Sequence, residues 1–326
     1  MEGKMKAVIG LTIATTLAAL AAGGVQAQNY PARSVKIIVP FGAGGPADVY
    51  ARALGEQLSK SLGQSFVIEN RPGAGAVVGT NEVVKSPADG YTLLMMSNTQ
   101  ATNESLIPNK PYALMRDLAP VAAVNYSDLV MVVHPSLNVK TLKEFIALAQ
   151  SKPNGLNYAS SGPGTPYHMA GELFKAMSKT QIVHVPYKDS GGARNDVLAG
   201  HVHMMFDAVT TMAQNVATGK LVALGTSGDN RADVLPNVPT VSEAGVTGYS
   251  ATIWLGVMAP KATPRDILVK LNAEINKVQQ SPEVKTAWAK QGAVPFNMSV
   301  DQFEDFLNKE ITKWSEVVKI SGAKVQ

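Results

Sequence analysis

The sequence predicts an α/β protein of two lobes, each built on a mainly parallel sheet that is flanked by helices. The chain has 326 residues, and a single hydrophobic core stops growing at about 250–300 residues. Short β-branched runs alternate along the chain with segments of helical spacing, an order that favours parallel sheets covered by helices. Hydrophobic residues make up 45% and charged residues 17%, which is ordinary globular composition.

The first strand–helix unit follows the N-terminal segment. The apolar, β-branched run from Val35 to Val39 predicts a buried strand. Helical spacing extends from Pro46 to Leu62, and Gly63 is the expected stop. Two more strands are predicted at 66–68 and 91–96, the second entered through an Asp-Gly turn.

A second strand–helix unit begins near residue 129. The run from Leu129 to Val133 predicts a strand, and Thr141 with Glu144 forms the capping box of a helix. Thr165-Pro166 predicts the start of another helix, which runs through Lys175. Further strands are predicted at 157–159, 182–185, 204–206 and 221–224.

The C-terminal part is predicted to be helical. Helices begin after Thr263-Pro264, after Ser281-Pro282 and after Ser299, which forms a capping box with Gln302. Because such helices usually pack on the first lobe, we expect that lobe to be discontinuous. The expected lobes are residues 28–125 plus 254–326 for lobe 1 and residues 126–253 for lobe 2.

The N-terminus carries the three regions of a secretory signal peptide. Lys4 and Lys6 precede an apolar stretch from Ala7 to about Ala22, and Val25-Gln26-Ala27 is small at the cleavage positions. The apolar stretch is shorter than the ~20 residues that a membrane-spanning helix needs. We therefore predict a signal peptide at residues 1–27, cleavage after about Ala27 and a periplasmic mature chain.

Charge and cysteine content narrow the function classes. The formal net charge is +4 and the charges are interspersed, which argues against nucleic-acid binding. The absence of cysteine excludes disulfides, thiol nucleophiles and cysteine-based metal sites. His201 and His203 would share one face of a strand, but no third ligand accompanies them. We interpret them as structural and predict no metal site.

The loop Pro40–Asp48 joins the first strand to the first helix and is a candidate anion site. Pro46 suits the first helical position, and Asp48 in the first turn complements the helix dipole. The glycines let backbone N–H groups face outward at the helix N-terminus, which suits a phosphate or a carboxylate.

Two other interpretations of this loop are open. Gly42, Gly44 and Ala47 also satisfy the G-x-G-x-x-G/A pattern of dinucleotide-binding loops, and Glu69 ends the next strand. Glu69 lies far along the chain for that role, and the signal peptide directs the protein away from the nicotinamide pool. A purely structural glycine turn is the remaining alternative, and we favour simple anion binding.

The loop Ser160–His168 repeats this arrangement in the second lobe. Thr165 is the expected N-cap and Pro166 the first helical residue. The hydroxyls of Ser161 and Thr165, with backbone N–H groups, are suited to hold a carboxylate; helix capping alone is the alternative. We favour ligand contact because two such loops from two lobes would face each other across a cleft.

Other candidate positions lie at the ends of predicted strands. Tyr187 is placed to stack on a ligand or hydrogen-bond to it, and Ser97-Asn98 offers polar contacts. Asp207 is suited either to receive a ligand donor or to cap the next helix.

Catalytic motifs are missing from the sequence. It contains no G-x-S-x-G and no H-E-x-x-H motif, and Gly219-Lys220 is followed by Leu221 and so does not complete a P-loop. We therefore predict a protein that is not an enzyme and that carries no cofactor.

Several stretches occur together along nearly the whole mature chain, from about Tyr30 to Lys324. They are Val39-Pro40-Phe41 with Gly44-Gly45 and Asp48, Glu69-Asn70-Arg71-Pro72-Gly73-Ala74-Gly75, Asp89-Gly90-Tyr91-Thr92-Leu93, Tyr158-Ala159-Ser160-Ser161-Gly162, His184-Val185-Pro186-Tyr187-Lys188, Pro236-Asn237-Val238-Pro239-Thr240-Val241, Glu243-Ala244-Gly245, Trp254, Ala259-Pro260 and Thr263-Pro264. Collectively they resemble the Bug-type periplasmic receptors of tripartite tricarboxylate transporters.

The resemblance implies a type II periplasmic binding protein with the Venus-flytrap fold. It implies a small organic carboxylate as ligand (an aliphatic di- or tricarboxylate, an amino acid or an aromatic acid) and membrane components of a tripartite transporter as partners. We expect a monomer. In such receptors the ligand carboxylate is held by the loop after the first strand and by its counterpart in the second lobe. Carried onto this chain, those loops are represented by Phe41, Gly42, Ala43, Gly44, Ser161, Gly162, Gly164 and Thr165, and Asp207 matches a position near the cleft.

This chain departs from the family pattern at two places. Asp189 stands where a glycine often follows the Tyr-Lys pair, and Gly42-Ala43 lacks the proline pair common there. Both departures bear on the choice of ligand. A ligand-sensing subunit of a membrane sensor kinase is an alternative with the same fold, and a secreted enzyme acting on a carboxylate is another.

Overall fold

A computed structural model of the chain describes residues 30–323. The predicted signal peptide lies outside the described residues. The strands are β1 (Val35–Val39), β2 (Phe66–Asn70), β3 (Thr92–Ser97), β4 (Leu118–Ser127), β5 (Leu129–Val133), β6 (Leu156–Ser160), β7 (Ile182–Pro186), β8 (Met204–Ala208), β9 (Val222–Thr226), β10 (Ile253–Pro260) and β11 (Ala293–Pro295). The helices are α1 (Pro46–Leu62), α2 (Val77–Val84), α3 (Asn98–Leu106), α4 (Leu114–Asp117), α5 (Leu142–Ser151), α6 (Pro166–Ser178), α7 (Ser190–Leu198), α8 (Val209–Ala217), α9 (Arg265–Gln280), α10 (Pro282–Ala289) and α11 (Val300–Ser321).

The strands form two sheets, each flanked by helices. The six-stranded sheet has the order β11-β4-β10-β3-β1-β2, and the five-stranded sheet has the order β7-β6-β8-β5-β9. The predicted two-lobed α/β fold is confirmed, and strands from both ends of the chain contribute to the first sheet.

The sheets are mixed, so the expectation of mainly parallel sheets is corrected. Parallel pairing is confined to β2-β1-β3 and β7-β6-β8, whereas β4, β10, β11, β5 and β9 pair antiparallel. The chain leaves the first sheet at Ser127 and re-enters it at Ile253, and these two residues are paired. Because the chain re-enters the sheet at the same end of the strands at which it left, the two strands β4 and β10 must run in opposite directions.

Local capping signals place the helix ends where the sequence predicts them. Thr141 and Glu144 make both halves of a capping box at α5, and Ser299 and Gln302 do so at α11. Gly63 ends α1 with a left-handed backbone. Each cap satisfies backbone groups that the first or last helical turn leaves unpaired.

Helix α11 packs more broadly than expected for a helix of the first lobe. It contacts β4 and α3 of the first sheet's layer and also α6 beside the second sheet. One apolar cluster accordingly runs through both layers and contains Leu94, Phe174 and Trp314. Within residues 30–323, no helix has the length and apolarity that crossing a membrane requires.

Candidate functional site

A cavity of about 730 Å³ lies between the two sheets, where loops that follow parallel strands meet. The first sheet's side contributes the loops after β1 and β2, the end of β3 and the start of β10. The second sheet's side contributes the loops after β6 and β7. The lining residues are Pro40, Phe41, Gly42, Gly45, Pro46, Ala47, Pro72, Gly73, Ala74, Gly75, Ala76, Ser97, Ile107, Ser161, Gly162, Pro163, Thr165, Pro166, Tyr167, Tyr187, Lys188, Asp189, Ser190, Ile253 and Leu255.

The sequence-predicted site residues divide between the cavity wall and positions behind it. Those in the wall are Phe41, Gly42, Ser97, Ser161, Gly162, Thr165 and Tyr187. Those that do not line the cavity are Ala43, Gly44, Asn98, Gly164 and Asp207. The two glycine-containing loops are therefore brought together across the cavity.

The first loop is fastened by Asp48 in the opening turn of α1. Its Oδ2 accepts a hydrogen bond from the Gly44 N–H at 2.9 Å, and its Oδ1 pairs with Arg52 at 2.8 Å. Burial alone would raise the pKa of Asp48, but the hydrogen bonds from Arg52 and Gly44 outweigh it and lower that pKa. The Gly44 N–H therefore stabilises the conformation of the loop by its hydrogen bond to Asp48.

The second loop is fastened in a similar way by Thr165. Its Oγ1 accepts from the His168 N–H at 3.4 Å as the N-cap of α6 and donates to the Gly162 carbonyl at 2.7 Å. Ser97 likewise caps α3 through its hydroxyl, which accepts from the Thr99 N–H. Ser97 and Thr165 both line the cavity, but each hydroxyl already accepts a hydrogen bond from a backbone N–H in the first turn of its helix.

Three hydroxyls of the wall, those of Ser161, Tyr167 and Ser190, make no hydrogen bond of ordinary geometry to any residue in 30–323. The Tyr167 hydroxyl is buried, with the residue 3% exposed, and makes no hydrogen bond of ordinary geometry. Burial, and then the nearby charge of Asp207, raise the pKa of Tyr167, so that hydroxyl keeps its proton as a donor.

Asp207 lies behind Tyr167, where it is fully buried. Its Oδ2 receives Arg194 Nε at 2.9 Å and Nη2 at 2.8 Å, and its Oδ1 accepts from the Ala208 N–H. Burial raises the pKa of Asp207, and the Arg194 guanidinium opposes that rise. Arg194 and the Ala208 N–H are the partners of this carboxylate within the protein, and Asp207 itself does not line the cavity.

The two sides of the cavity touch directly at Asn103 of α3. The Asn103 amide donates to the Gly75 carbonyl at 2.8 Å, and a Cβ added to Gly164 would lie 2.8 Å from Asn103 Oδ1. Gly164 also has a φ of +75°. Only glycine meets both requirements without strain, and its small size lets the second loop close against the first sheet's layer.

Several wall residues were missed by the sequence-based prediction. The loop Pro72–Ala76, Ile107, Ile253 and Leu255 form much of the apolar wall, and Lys188 with Asp189 lies at an exposed part of it. The glycine run after β2 was a visible signal, but its position beside the other loops depends on sheet order. No comparable signal marks Ile107, Ile253 or Leu255.

The histidines outside the cavity have protein partners. His203 Nδ1 lies 3.1 Å from the Asn157 backbone N and 2.6 Å from its Oδ1, and His201 lies 3.5 Å from Asp196. Among residues 30–323, no group of three or more histidine, aspartate or glutamate side chains is arranged to hold a metal ion.

Comparison with known proteins identifies the family. A sequence profile described as "Tripartite tricarboxylate transporter family receptor" matches residues 50–323. The chain belongs to this receptor family. The family is one of transporter receptors rather than enzymes, and its solved relatives include the periplasmic binding protein BugD.

Relatives of this receptor match it over nearly their whole length. The protein BugT of Bordetella pertussis is 41% identical over 325 residues, which covers 99% of each chain. The structure of R. palustris Rpa4515 with adipate has a TM-score of 0.87 and 33% identity, and the match covers 90% of this chain and 99% of that one. MatC from Rhodopseudomonas palustris with bound malate has a TM-score of 0.84 and 30% identity, covering 89% of this chain and 100% of that one.

Proposed function

We propose that this receptor binds a small organic carboxylate in the cavity between its sheets and delivers it to the membrane components of a tripartite transporter. The observation that carries the proposal is the convergence of two helix N-termini on one cavity. The N-cap Gly45 with Pro46 and Ala47 of α1, and the N-cap Thr165 with Pro166 of α6, all lie in its wall. Helix N-termini attract anions through their free N–H groups and their dipoles.

The donors that we assign to the ligand are those that the protein leaves unused. They are the hydroxyls of Ser161, Tyr167 and Ser190, together with backbone N–H groups of the two loops. Phe41, Ile107 and Leu255 supply apolar walls for the body of the acid. The adipate and malate of the two solved relatives support a carboxylate as the ligand class.

We propose that the lobes divide at the two chain crossings between the sheets. Lobe 1 then comprises residues 28–125 and 254–326, and lobe 2 comprises residues 126–253. Contacts from both lobes to one ligand would favour a closed arrangement, which is the state that a membrane partner recognises. The mature chain, without residues 1–27, is proposed to act in the periplasm as a monomer.

Thermal unfolding of the mature chain against a panel of acids tests this proposal. The panel contains adipate, malate, citrate, glutamate, benzoate, terephthalate and NAD(H). A ligand at 100 times its dissociation constant stabilises the folded state by about 2.7 kcal/mol. We expect one class of carboxylate to raise the unfolding temperature and to be recovered chemically unchanged. A shift with NAD(H) alone, or steady conversion of an acid to product, would overturn the proposal.

A further inference from the structure

A stacked pair of histidines lies directly behind the second loop of the cavity. The ring centroids of His168 and His184 are 4.2 Å apart, with 28° between the planes. His184 also stacks on Tyr158 at 4.8 Å. His168 is 3% exposed, and neither histidine lines the cavity. The two histidines therefore contact the loop on its face that points away from the cavity.

Both rings are hydrogen-bonded to this loop. The Gly164 N–H donates to His168 Nδ1 at 3.1 Å, which requires that nitrogen to carry no proton. His184 Nε2 lies 2.7 Å from Ser160 Oγ, and the same Oγ accepts from the Gly162 N–H at 3.1 Å. The backbone at Gly162 and Gly164 is thus held by the two rings, one directly and one through Ser160.

We infer that His168 and His184 are positioning residues, which in their neutral form hold the Ser160–Thr165 loop in its ligand-binding shape. This inference rests on the proposed function for the role of the loop, because Ser161 and Gly162 are the cavity-wall residues that the pair supports. Protonation of His168 at Nδ1 would remove the acceptor for Gly164 and would point an N–H at an N–H. The loop would then be released in acid.

The surroundings of the pair disfavour a charged imidazole. Burial lowers the pKa of His168 to about 4, assisted by Lys175. Burial and then His168 lower the pKa of His184 to about 3. The charged side chains that face the rings are Glu172 and Lys175 of α6, which pair with each other at 2.7 Å. The neutral Tyr158 of β6 donates its hydroxyl to Glu172 and completes the set.

Amide hydrogen exchange and side-chain NMR of the ligand-free mature chain test the inference. At pH 6–7.5 we expect His168 to show a neutral ring with Nδ1 unprotonated and the Gly164 amide to be protected. His168→Leu should raise the exchange rate of the Gly164 amide on the order of tenfold. His168→Asn, which keeps an acceptor near the Nδ1 position, should restore most of the protection. His184→Phe should act on the Gly162 amide instead.

A matched control distinguishes positioning from general loss of structure. His203 is also a partly buried histidine, and its Nδ1 contacts the backbone N and the side-chain Oδ1 of Asn157, outside the loop. His203→Leu should leave the Gly162 and Gly164 amides unchanged. A charged His168 ring at pH 6, or equal Gly164 exchange in His168→Leu and the unaltered protein, would overturn the inference.

Ligand binding supplies a second readout. With an acid identified in the thermal panel, His168→Leu should weaken binding on the order of tenfold, while His168→Asn should bind nearly as the unaltered protein does. Equal affinities of all three proteins would overturn a role in ligand binding. If no acid binds, the proposed function fails, and the exchange experiment still decides whether the histidines position the loop.

Discussion

The hydroxyl groups around the cavity fall into two sets, those that cap helices and those that make no hydrogen bond of ordinary geometry within the described part of the chain. Those of Ser97 and Thr165 cap helices, each accepting a backbone N–H in the first turn. Those of Ser161, Tyr167 and Ser190 make no hydrogen bond of ordinary geometry within residues 30–323, and of the three only Tyr167 is buried, beside Asp207. A buried hydroxyl without a partner costs about 1–3 kcal/mol, and a ligand that accepts from it recovers that loss. The unpaired hydroxyls are therefore the ones we assign to ligand binding.

Tyr167→Phe is predicted to weaken ligand binding and to stabilise the ligand-free protein. Affinity should fall about 5- to 15-fold, because one hydrogen bond contributes about 1 kcal/mol or somewhat more. The free energy of unfolding should rise by up to about 1 kcal/mol, because the unpaired hydroxyl is removed. Calorimetric titration with an acid from the panel and urea unfolding measure the two effects.

Tyr112→Phe is the matched control for this substitution. Tyr112 is buried and its hydroxyl also makes no hydrogen bond of ordinary geometry, although Thr80 and Asn103 lie near it, and it does not line the cavity. Its removal should change stability in the same direction and leave affinity unaltered. Unchanged affinity in Tyr167→Phe would show that the hydroxyl does not contact the ligand.

At the scale of single elements, local patterns predict well and long-range positions do not. The caps of α5 and α11 and the starts of α1 and α6 follow from a few adjacent residues. The place of Pro72–Ala76 in the cavity wall follows instead from the order of strands in the first sheet. Asp207 shows the same limit, since its partner Arg194 lies on a different element, 13 residues away.

One buried carboxylate adds a polar contact between helix α11 and the first sheet. Glu310 accepts from the indole N–H of Trp254 in β10 at 2.6 Å and from that of Trp314 in α11 at 2.8 Å. All three side chains are buried. Trp254 and Glu310 are 56 positions apart in the chain, so loss of this contact should affect the packing of the C-terminal helix on the first sheet.

Glu310→Ala is predicted to lower the free energy of unfolding by about 2–5 kcal/mol. The substitution leaves two buried indole N–H groups without an acceptor, and each costs about 1–3 kcal/mol. Urea unfolding followed by tryptophan fluorescence measures the change. Glu316→Ala, at an exposed position of the same helix, should change stability by less than about 0.5 kcal/mol. Equal effects of the two substitutions would contradict the assigned role of Glu310.

At the scale of the whole molecule, the chain passes from the first sheet to the second between β4 and β5, and its returning segment packs beside this crossing. Asp128 is the single residue between β4 and β5, and Ser227 binds the second strand there through Leu129 N–H to Oγ at 2.8 Å. Ser227 also accepts from the Ala251 N–H as the chain returns. A Cβ on Gly228 would lie 2.3 Å from the Asp128 carboxylate, so the crossing is packed closely around this side chain. Its ionisation therefore affects the place where the two layers meet.

Asp128→Asn is predicted to stabilise the protein in a pH-dependent way. Burial, and then the charge of Asp229, raise the pKa of Asp128 to about 6, whereas an unfolded aspartate titrates near 3.9. The folded state therefore holds this proton more tightly, and the stabilising contribution of the bound proton is lost as the pH rises through about 6.

At pH 7.5 the substitution should raise the free energy of unfolding by about 1–3 kcal/mol, since one pKa unit corresponds to about 1.4 kcal/mol. The gain should shrink steadily between pH 6.5 and pH 4.5. Urea unfolding at three pH values measures it, with Asp233→Asn, at an exposed position, as the control. An equal gain in the free energy of unfolding at all three pH values would mean that the charge of Asp128 does not destabilise the folded protein.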